Sequence, residues 1–389
     1  MPSGKVGGLD KGMSAEKLGV ALVGCGAISR LNAEAVQEAR SARLSYCVDV
    51  DRAAAERLGK MYSVPGTDQL DEALASSAVD AVFVCTPHYF HAPLVERAAR
   101  AGKHVIVEKP MGTSLADSRA IVEVCGEAGV NLGVCYCMRY GSKIEFVKNY
   151  IGDGGLGDII GFEITMLRDR SEKCLERDTW QEGNPNWHCV KAKSGGGIFI
   201  DNISHYIDYF LYLTGMNVEE VYCRAGTFVI PADVEDNLWA ILKAESGAVG
   251  TIAVGSAVRG AGQELDGRTA NSIQRIWGSY GQVILIPELR VFSLRRIGGM
   301  VPNRWHAIKP RAIYNSGGSG VRERTGFVQN FARSVLEGRE PDITGNDGLR
   351  VMEIIDAAYR SSREGRVAII AGEKSAGGGV IDSGESKSR

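Results

Sequence analysis

The sequence predicts two domains of different class. The first is an α/β domain on a doubly wound parallel sheet, and the second is an α+β domain on a large open, mainly antiparallel sheet. Three observations carry this. The first third alternates short apolar runs with helical stretches, the middle strings strand-like segments together with few helices, and a glycine turn follows the first apolar run directly. Strand–helix alternation with apolar strands signals a parallel sheet covered on both faces, whereas consecutive strands joined by turns signal antiparallel pairing.

In chain order, strands are expected at residues 18–23, 44–48, 79–85, 104–107 and 131–135. Helices are expected between them at 28–38, 52–61, 92–101 and 115–128. The second pattern places strands at 159–168, 218–228, 237–244, 249–257, 273–278, 283–286 and 289–294. A helix at 203–214, stopped by Gly215, interrupts it, and two late helices at 325–337 and 347–363 close the fold. The implied division is a tail at 1–17, a first domain at 18–137, a second at 138–370 and a tail at 371–389. The late helices are placed to pack back on the first domain. The opening residues lack the apolar core of a secretory signal, and the Gly/Ser/charge-rich end reads as disordered.

Composition narrows the class. The 389 residues are 44% hydrophobic and 24% charged, with a net charge of −2 and no basic block, so neither nucleic acid nor an anionic membrane is an expected partner. No apolar run reaches the roughly 18 residues that a membrane-spanning helix needs. Nine cysteines, an odd number without a Cys-x-x-Cys, read as reduced, buried thiols of a cytoplasmic protein. Cys135 and Cys137, two apart on an expected strand, would share a face; no metal site is expected.

Chemistry-bearing residues gather in three places. Val20-Ala21-Leu22-Val23-Gly24-Cys25-Gly26-Ala27-Ile28-Ser29 reads as strand, tight turn and helix start. Gly24 would make the turn, and Gly26 would admit a pyrophosphate close to the backbone, with Ala27 and Ile28 at the helix N-terminus. Asp49, at the end of the second strand, suits the carboxylate that accepts ribose hydroxyls, which favours NAD over NADP; Arg52 nearby bears on that choice. Asp49 also suits a turn residue, and Asp51 the cap of the next helix. Thr86-Pro87 follows the third strand, where a loop would run past the cofactor, with His88 and His91 just beyond. Lys109 ends the strand Val105-Ile106-Val107 with Glu108 before it and Pro110 after it. Ligands of open α/β sheets bind at such carboxyl ends. The third place is Gly195-Gly196-Gly197-Ile198-Phe199-Ile200-Asp201-Asn202-Ile203-Ser204-His205. On a regular helix Asp201 and His205 would share one side, with Asp208 on the same face, and an imidazole beside a carboxylate is a suitable proton acceptor near neutral pH. A capping Asp201 with a core-edge His205 fits the spacing as well.

Together these segments resemble the Gfo/Idh/MocA family of NAD(P)-dependent oxidoreductases. Glu235-Asp236 and Gly278-Ser279-Tyr280-Gly281 add to the match, which runs from about residue 18 to 370. Ser29 stands where the family has glycine or alanine. The resemblance implies a Rossmann domain and a C-terminal domain whose open sheet often forms a homo-oligomer interface, here a dimer or tetramer. It implies hydride transfer between NAD and a secondary hydroxyl or ketone of a sugar, glycoside or inositol-like polyol. Lys109, Asp201 and His205 would be catalytic, with either Lys109 or His205 as the base. It implies cofactor contacts from Gly24, Gly26, Ala27, Ile28, Asp49, Thr86, Pro87, His91, Glu108, Lys109, Arg139 and Trp187. Arg168, Asp169, Arg170, Asp178 and Asn186 would offer polar groups to a hydroxyl-rich substrate. A sensor of NAD and sugar on the same fold is the rival from another class, and a trans-dihydrodiol or amino-sugar dehydrogenase the rival among enzymes.

Overall fold

A computed structural model describes residues 17–168, 186–230, 232–256, 258, 264–265, 268–269, 272–310 and 320–370. The expected tails fall outside these residues, Lys17 apart, as do Asp169, Arg170 and Asp178.

The first sheet has six parallel strands: β1 (Leu18–Val23), β2 (Ala42–Val48), β3 (Gly66–Thr67), β4 (Ala81–Val84), β5 (His104–Val107) and β6 (Leu132–Val134). Their order is β3-β2-β1-β4-β5-β6. The intervening helices are α1 (Ser29–Glu38), α2 (Arg52–Tyr62), α3 (Leu70–Ala75), α4 (His91–Arg100) and α5 (Leu115–Glu127). Every residue of β1 and β4 is buried, as helices on both faces require. The order reverses between β1 and β4, so a crevice opens at their carboxyl ends. Gly24, Asp49, Thr86 and Lys109 follow β1, β2, β4 and β5, and therefore all lie at that end. The two-residue β3 and short α3 were not expected, because neither carries a periodic apolar run. Cys135 and Cys137 are not on a strand: β6 stops at Val134, and Cys137 opens a 3₁₀ turn.

The second sheet joins nine strands in the order β16-β15-β14-β13-β7-β10-β9-β8-β17. They are β7 (Ile159–Leu167), β8 (Val218–Gly226), β9 (Asn237–Ala244), β10 (Val249–Gly255), β13 (Ser272–Gly278), β14 (Gly281–Ile286), β15 (Arg290–Ser293), β16 (Arg304–Ala307) and β17 (Ala368–Ile369). The hairpin strands β11 (Glu264–Leu265) and β12 (Arg268–Thr269) pair separately. Only β7 and β10 run parallel. Alternation in β9 puts Leu238, Ala240, Leu242 and Ala244 inward and Trp239, Ile241 and Lys243 outward. The remaining helices are α6 (Ser142–Gly152), α7 (Lys191–Ser194), α8 (Ser204–Thr214), α9 (Val321–Leu336) and α10 (Gly345–Glu364). α9 starts four residues earlier than expected because the Glu323 carboxylate accepts the Gly320 N–H at 3.0 Å and so caps the new end. It lies on the first domain, where Gln329 and Ser41 exchange hydrogen bonds of 2.8 and 3.1 Å. No helix among the described residues is long and apolar enough to cross a membrane.

Candidate active site

The glycine turn is shaped by its neighbours. Gly24 has φ +98°, and a Cβ there would stand 2.8 Å from the Cys85 carbonyl carbon, so the loops after β1 and β4 touch only because residue 24 lacks a side chain. A Cβ on Gly26 would meet nothing within 4 Å, so this face of the turn is open. Ser29, in the place of the third glycine, is buried and its hydroxyl donates to the Gly26 carbonyl at 2.6 Å, which locks the turn onto α1. One Asp49 oxygen accepts the Cys25 N–H at 2.6 Å and the other the Asp51 N–H at 2.9 Å. A carboxylate has about four acceptor positions, so capacity remains for ribose hydroxyls. Asp51 caps α2 through Ala53 N–H at 3.0 Å. Arg52 is drawn to Glu56 at 2.9 Å, on the exposed surface.

Thr86, Pro87 and His91 form the second wall. Thr86 Oγ1 is buried without a protein partner. His91 is fully buried, with Nε2 3.0 Å from the Thr86 carbonyl and Nδ1 3.0 Å from the Pro110 carbonyl. Both ring nitrogens are thus used on backbone, and His91 staples the loop after β4 to the loop after β5 rather than offering a group to a cofactor. Glu108 likewise turns inward, to Asn32 Nδ2 at 2.9 Å.

Lys109, two residues past the end of β5, points the other way. Its Nζ donates to the Asp201 carboxylate at 3.0 Å and to the Asp201 carbonyl at 2.5 Å. Burial works against the ionised Asp201 carboxyl, but Lys109, then His188 and His88, outweigh it and hold the group well below the usual carboxylate range. Residues 201 and 205 do not lie on one regular α-helix: Phe199–Ile203 form a wide π-helical turn and α8 begins only at Ser204. Asp201 takes the ammonium of Lys109 as its partner, and His205 Nδ1 is left without one. Burial, then Lys109 and Arg324, keep the His205 imidazole unprotonated, against the pull of Asp201.

The turn that presents Asp201 depends on Glu235. Its carboxylate accepts the N–H groups of Gly197 and Phe199 at 2.9 and 3.0 Å and the Tyr359 hydroxyl at 2.9 Å. A Cβ on Gly197 would lie 1.9 Å from the Glu235 carbonyl oxygen, so only glycine allows this approach.

Two expected contacts fall elsewhere. The Arg139 guanidinium is taken by Asp208 at 2.6 and 2.9 Å and by Asp347 at 2.8 Å, with Arg139 and Asp208 buried and Asp347 partly exposed. It clamps α8 to the start of α10, and Asp208 is thereby removed from the face expected for Asp201 and His205. Asn186 spends its side-chain oxygen on the His188 N–H at 3.1 Å. Trp187 does reach the site: its ring stacks on His188 at 3.6 Å and meets His88 edge-on at 4.6 Å. His188 was not foreseen, yet its Nδ1 is 3.8 Å from the Asp201 carboxylate. It adjoins Trp187 in sequence, and no spacing rule tied it to Asp201.

A family profile described as "Oxidoreductase family, NAD-binding Rossmann fold" matches residues 18–136, and "GFO/IDH/MocA C-terminal domain" matches residues 144–281. The chain belongs to the Gfo/Idh/MocA oxidoreductase family. It is similar to the inositol 2-dehydrogenase of Rhizobium meliloti (strain 1021), with 28% identity over 363 residues covering 90% of this chain and 98% of that one. The aldose-aldose oxidoreductase of Caulobacter crescentus, solved with glycerol, aligns with a TM-score of 0.76 at 26% identity, over 91% of this chain and all of the other. The WlbA dehydrogenase of Bordetella pertussis, solved with NADH and UDP-GlcNAcA, aligns at 0.73 with 26% identity, over 92% of this chain and 100% of that one.

An NAD-binding oxidoreductase of this family needs a phosphate cradle, and the residues present fit one. Gly26 is open, the N–H groups of Ala27 and Ile28 have no protein acceptor among the described residues, and α1 directs its positive end at the same spot. Asp49 stands ready for the ribose.

The buried histidines give this family member a pH-dependent stability. His88, His91, His104 and His205 are all shifted below the ordinary 6.5, chiefly by burial, His88 to about 3. The unfolded chain therefore takes up these protons first. Their stabilising contribution is intact above pH ~6.5 and is lost as pH falls toward each folded value, at up to about 1.4 kcal/mol per pH unit for each histidine. Urea midpoints measured from pH 7 to pH 5 should fall accordingly, and His88→Phe should make the fall shallower. A midpoint independent of pH over this range would contradict the burial.

Proposed function

We propose that this oxidoreductase interconverts a secondary hydroxyl and a ketone on a sugar, glycoside or inositol-like polyol, with NAD as its redox partner. The carrying observation is the pairing of Lys109 with Asp201 beside a neutral His205, at the carboxyl ends of the strands that also present the glycine turn. Bound NAD supplies the hydride-accepting carbon. Gly24 and Gly26 would hold its pyrophosphate, Asp49 its ribose, and the Thr86 hydroxyl a polar group of the part reaching into the site. Lys109, held in place by Asp201, donates a hydrogen bond to the reacting oxygen and steadies the charge that grows there. His205, unprotonated, accepts the hydroxyl proton during oxidation and returns it during reduction. Trp187 and His188 offer a flat wall with a polar edge, suited to a ring bearing hydroxyls.

Relatives that act on inositol and aldoses support the substrate class. Full-length protein mixed with NAD and a panel of inositols, hexoses and glycosides should form reduced cofactor with at least one member. Product should be followed by mass spectrometry, so that a cofactor recycled within the site is still detected. Bound NAD with no product from any member would overturn the proposal.

We also infer a homo-oligomer through the outer face of the nine-stranded sheet. Tyr222, Ile241 and Thr251 lie side by side across β8, β9 and β10, and Arg224, Trp239 and Ala253 form the next row. Trp239 and Ile241 are each 51% exposed and share this face, so two large apolar side chains stand in water together, as at an interaction site. Light scattering should report a dimer or tetramer, and a Trp239→Glu/Ile241→Glu variant should be monomeric. A monomeric parent protein would dismiss this reading.

A further inference from the structure

Behind Lys109 lies a buried polar cluster that no contact with a reacting group explains. One Glu108 oxygen accepts the backbone N–H of Lys109 at 3.1 Å, and the other accepts the Asn32 amide at 2.9 Å. Asn32, in the first turn of α1, also donates to Cys85 Sγ at 3.2 Å. Its carbonyl oxygen accepts Nε of Arg324 at 2.8 Å. Arg324, on α9, has Nη2 3.9 Å from the Glu108 carboxylate and donates from Nη1 to the Gly320 carbonyl at 3.1 Å. The Glu108 and Arg324 side chains are only 7% and 12% exposed. The carboxyl ends of β4 and β5 and the start of α1 are therefore tied together by one guanidinium from the far part of the chain.

A buried carboxylate is strongly disfavoured unless it is both paired and hydrogen-bonded. Glu108 meets both conditions only while Arg324 is present. Among the described residues Arg324 is the single cation paired with it, and Asn32 accepts from Arg324 while donating to Glu108. The positive charge extends to the other side of the strand end, where it works with burial and Lys109 to keep His205 unprotonated.

We propose that Arg324 is a positioning residue for Lys109: through Glu108 and Asn32 it holds the strand end that presents the amine, and it balances the carboxylate lying behind that amine. The inference rests on the reading of Lys109 as the catalytic amine, but its test does not need a substrate.

The test is the rate at which acetic anhydride labels Lys109 in the folded full-length protein, followed by peptide mass spectrometry. Glu108→Gln leaves Arg324 unbalanced, which disfavours the protonated amine, so labelling should speed up by about threefold or more, while Arg324→Gln leaves the carboxylate unbalanced and should slow labelling by about as much. The double variant Glu108→Gln/Arg324→Gln should return to within about twofold of the parent rate. If Arg324→Gln does not fold, Glu108→Gln and the double variant carry the comparison. A purely structural role would shift both single variants in the same direction. That result, or unchanged labelling, or a double variant no closer to the parent, would overturn the proposal. Failure of the catalytic reading would show instead as turnover surviving in Lys109→Ala.

Discussion

Lys109→Ala is expected to lower turnover by about 100- to 10,000-fold, the range that a positioned acid–base group contributes, while NAD affinity stays close to that of the parent. Among the described residues the amine is the lysine or arginine cation paired with Asp201. In the proposed mechanism its loss removes the hydrogen bond to the reacting oxygen and leaves the Asp201 charge facing the substrate. The phosphate cradle at Gly24 and Gly26 belongs to a different loop and is untouched. Titration with NADH, read by its fluorescence, separates the two effects from a kinetic assay on the same sample. A variant that turns over at the parent rate would remove Lys109 from the mechanism and favour a binding or sensing role for the chain.

Arg139→Ala is expected to cost about 3–5 kcal/mol of folding stability, the usual penalty for taking one partner from a buried ion pair. Two carboxylates depend on that guanidinium, and Asp208 is the more deeply buried. Burial, with help from Asp347, pushes Asp208 up to about 6 against the pull of Arg139, so without the arginine the carboxyl is either an unpaired charge or a proton-binding site. Urea unfolding at pH 7 measures the loss. A change below about 1 kcal/mol would show that the clamp is not what holds α8 to α10.

Much of this was legible in the sequence. The first domain could be read because its strands are short apolar runs and its loops carry the chemistry at their carboxyl ends. His104–Val107 and Asn237–Ala244 lie where the pattern put them. Lys109 and Asp201 were brought together as expected, although they are far apart in the chain. The rest depended on tertiary choices that no local spacing encodes. A wide turn at Phe199–Ile203 stands where a regular helix was assumed for Asp201 and His205, and Glu235, from the loop before β9, holds the Gly197 and Phe199 N–H groups beside it. His91 and Glu108 sat beside cofactor-binding segments and were read as part of them, but burial turned both inward to bind backbone and Asn32. Arg139 was assigned by its place after β6, whereas its two carboxylate partners come from α8 and α10. Arg324 and His188 carried no motif at all.

The glycine turn and the Lys109–Asp201 pair are proposed to serve one reaction. A crystal structure of the full-length protein with NAD puts this to the test. The pyrophosphate should lie at Gly24–Gly26 and the nicotinamide ring on the Lys109 side of the crevice, leaving room for a hydroxyl-bearing carbon roughly 3–3.5 Å from the hydride-accepting position and within reach of Nζ. A nicotinamide bound with its ring turned away from Lys109 and Asp201 would contradict it.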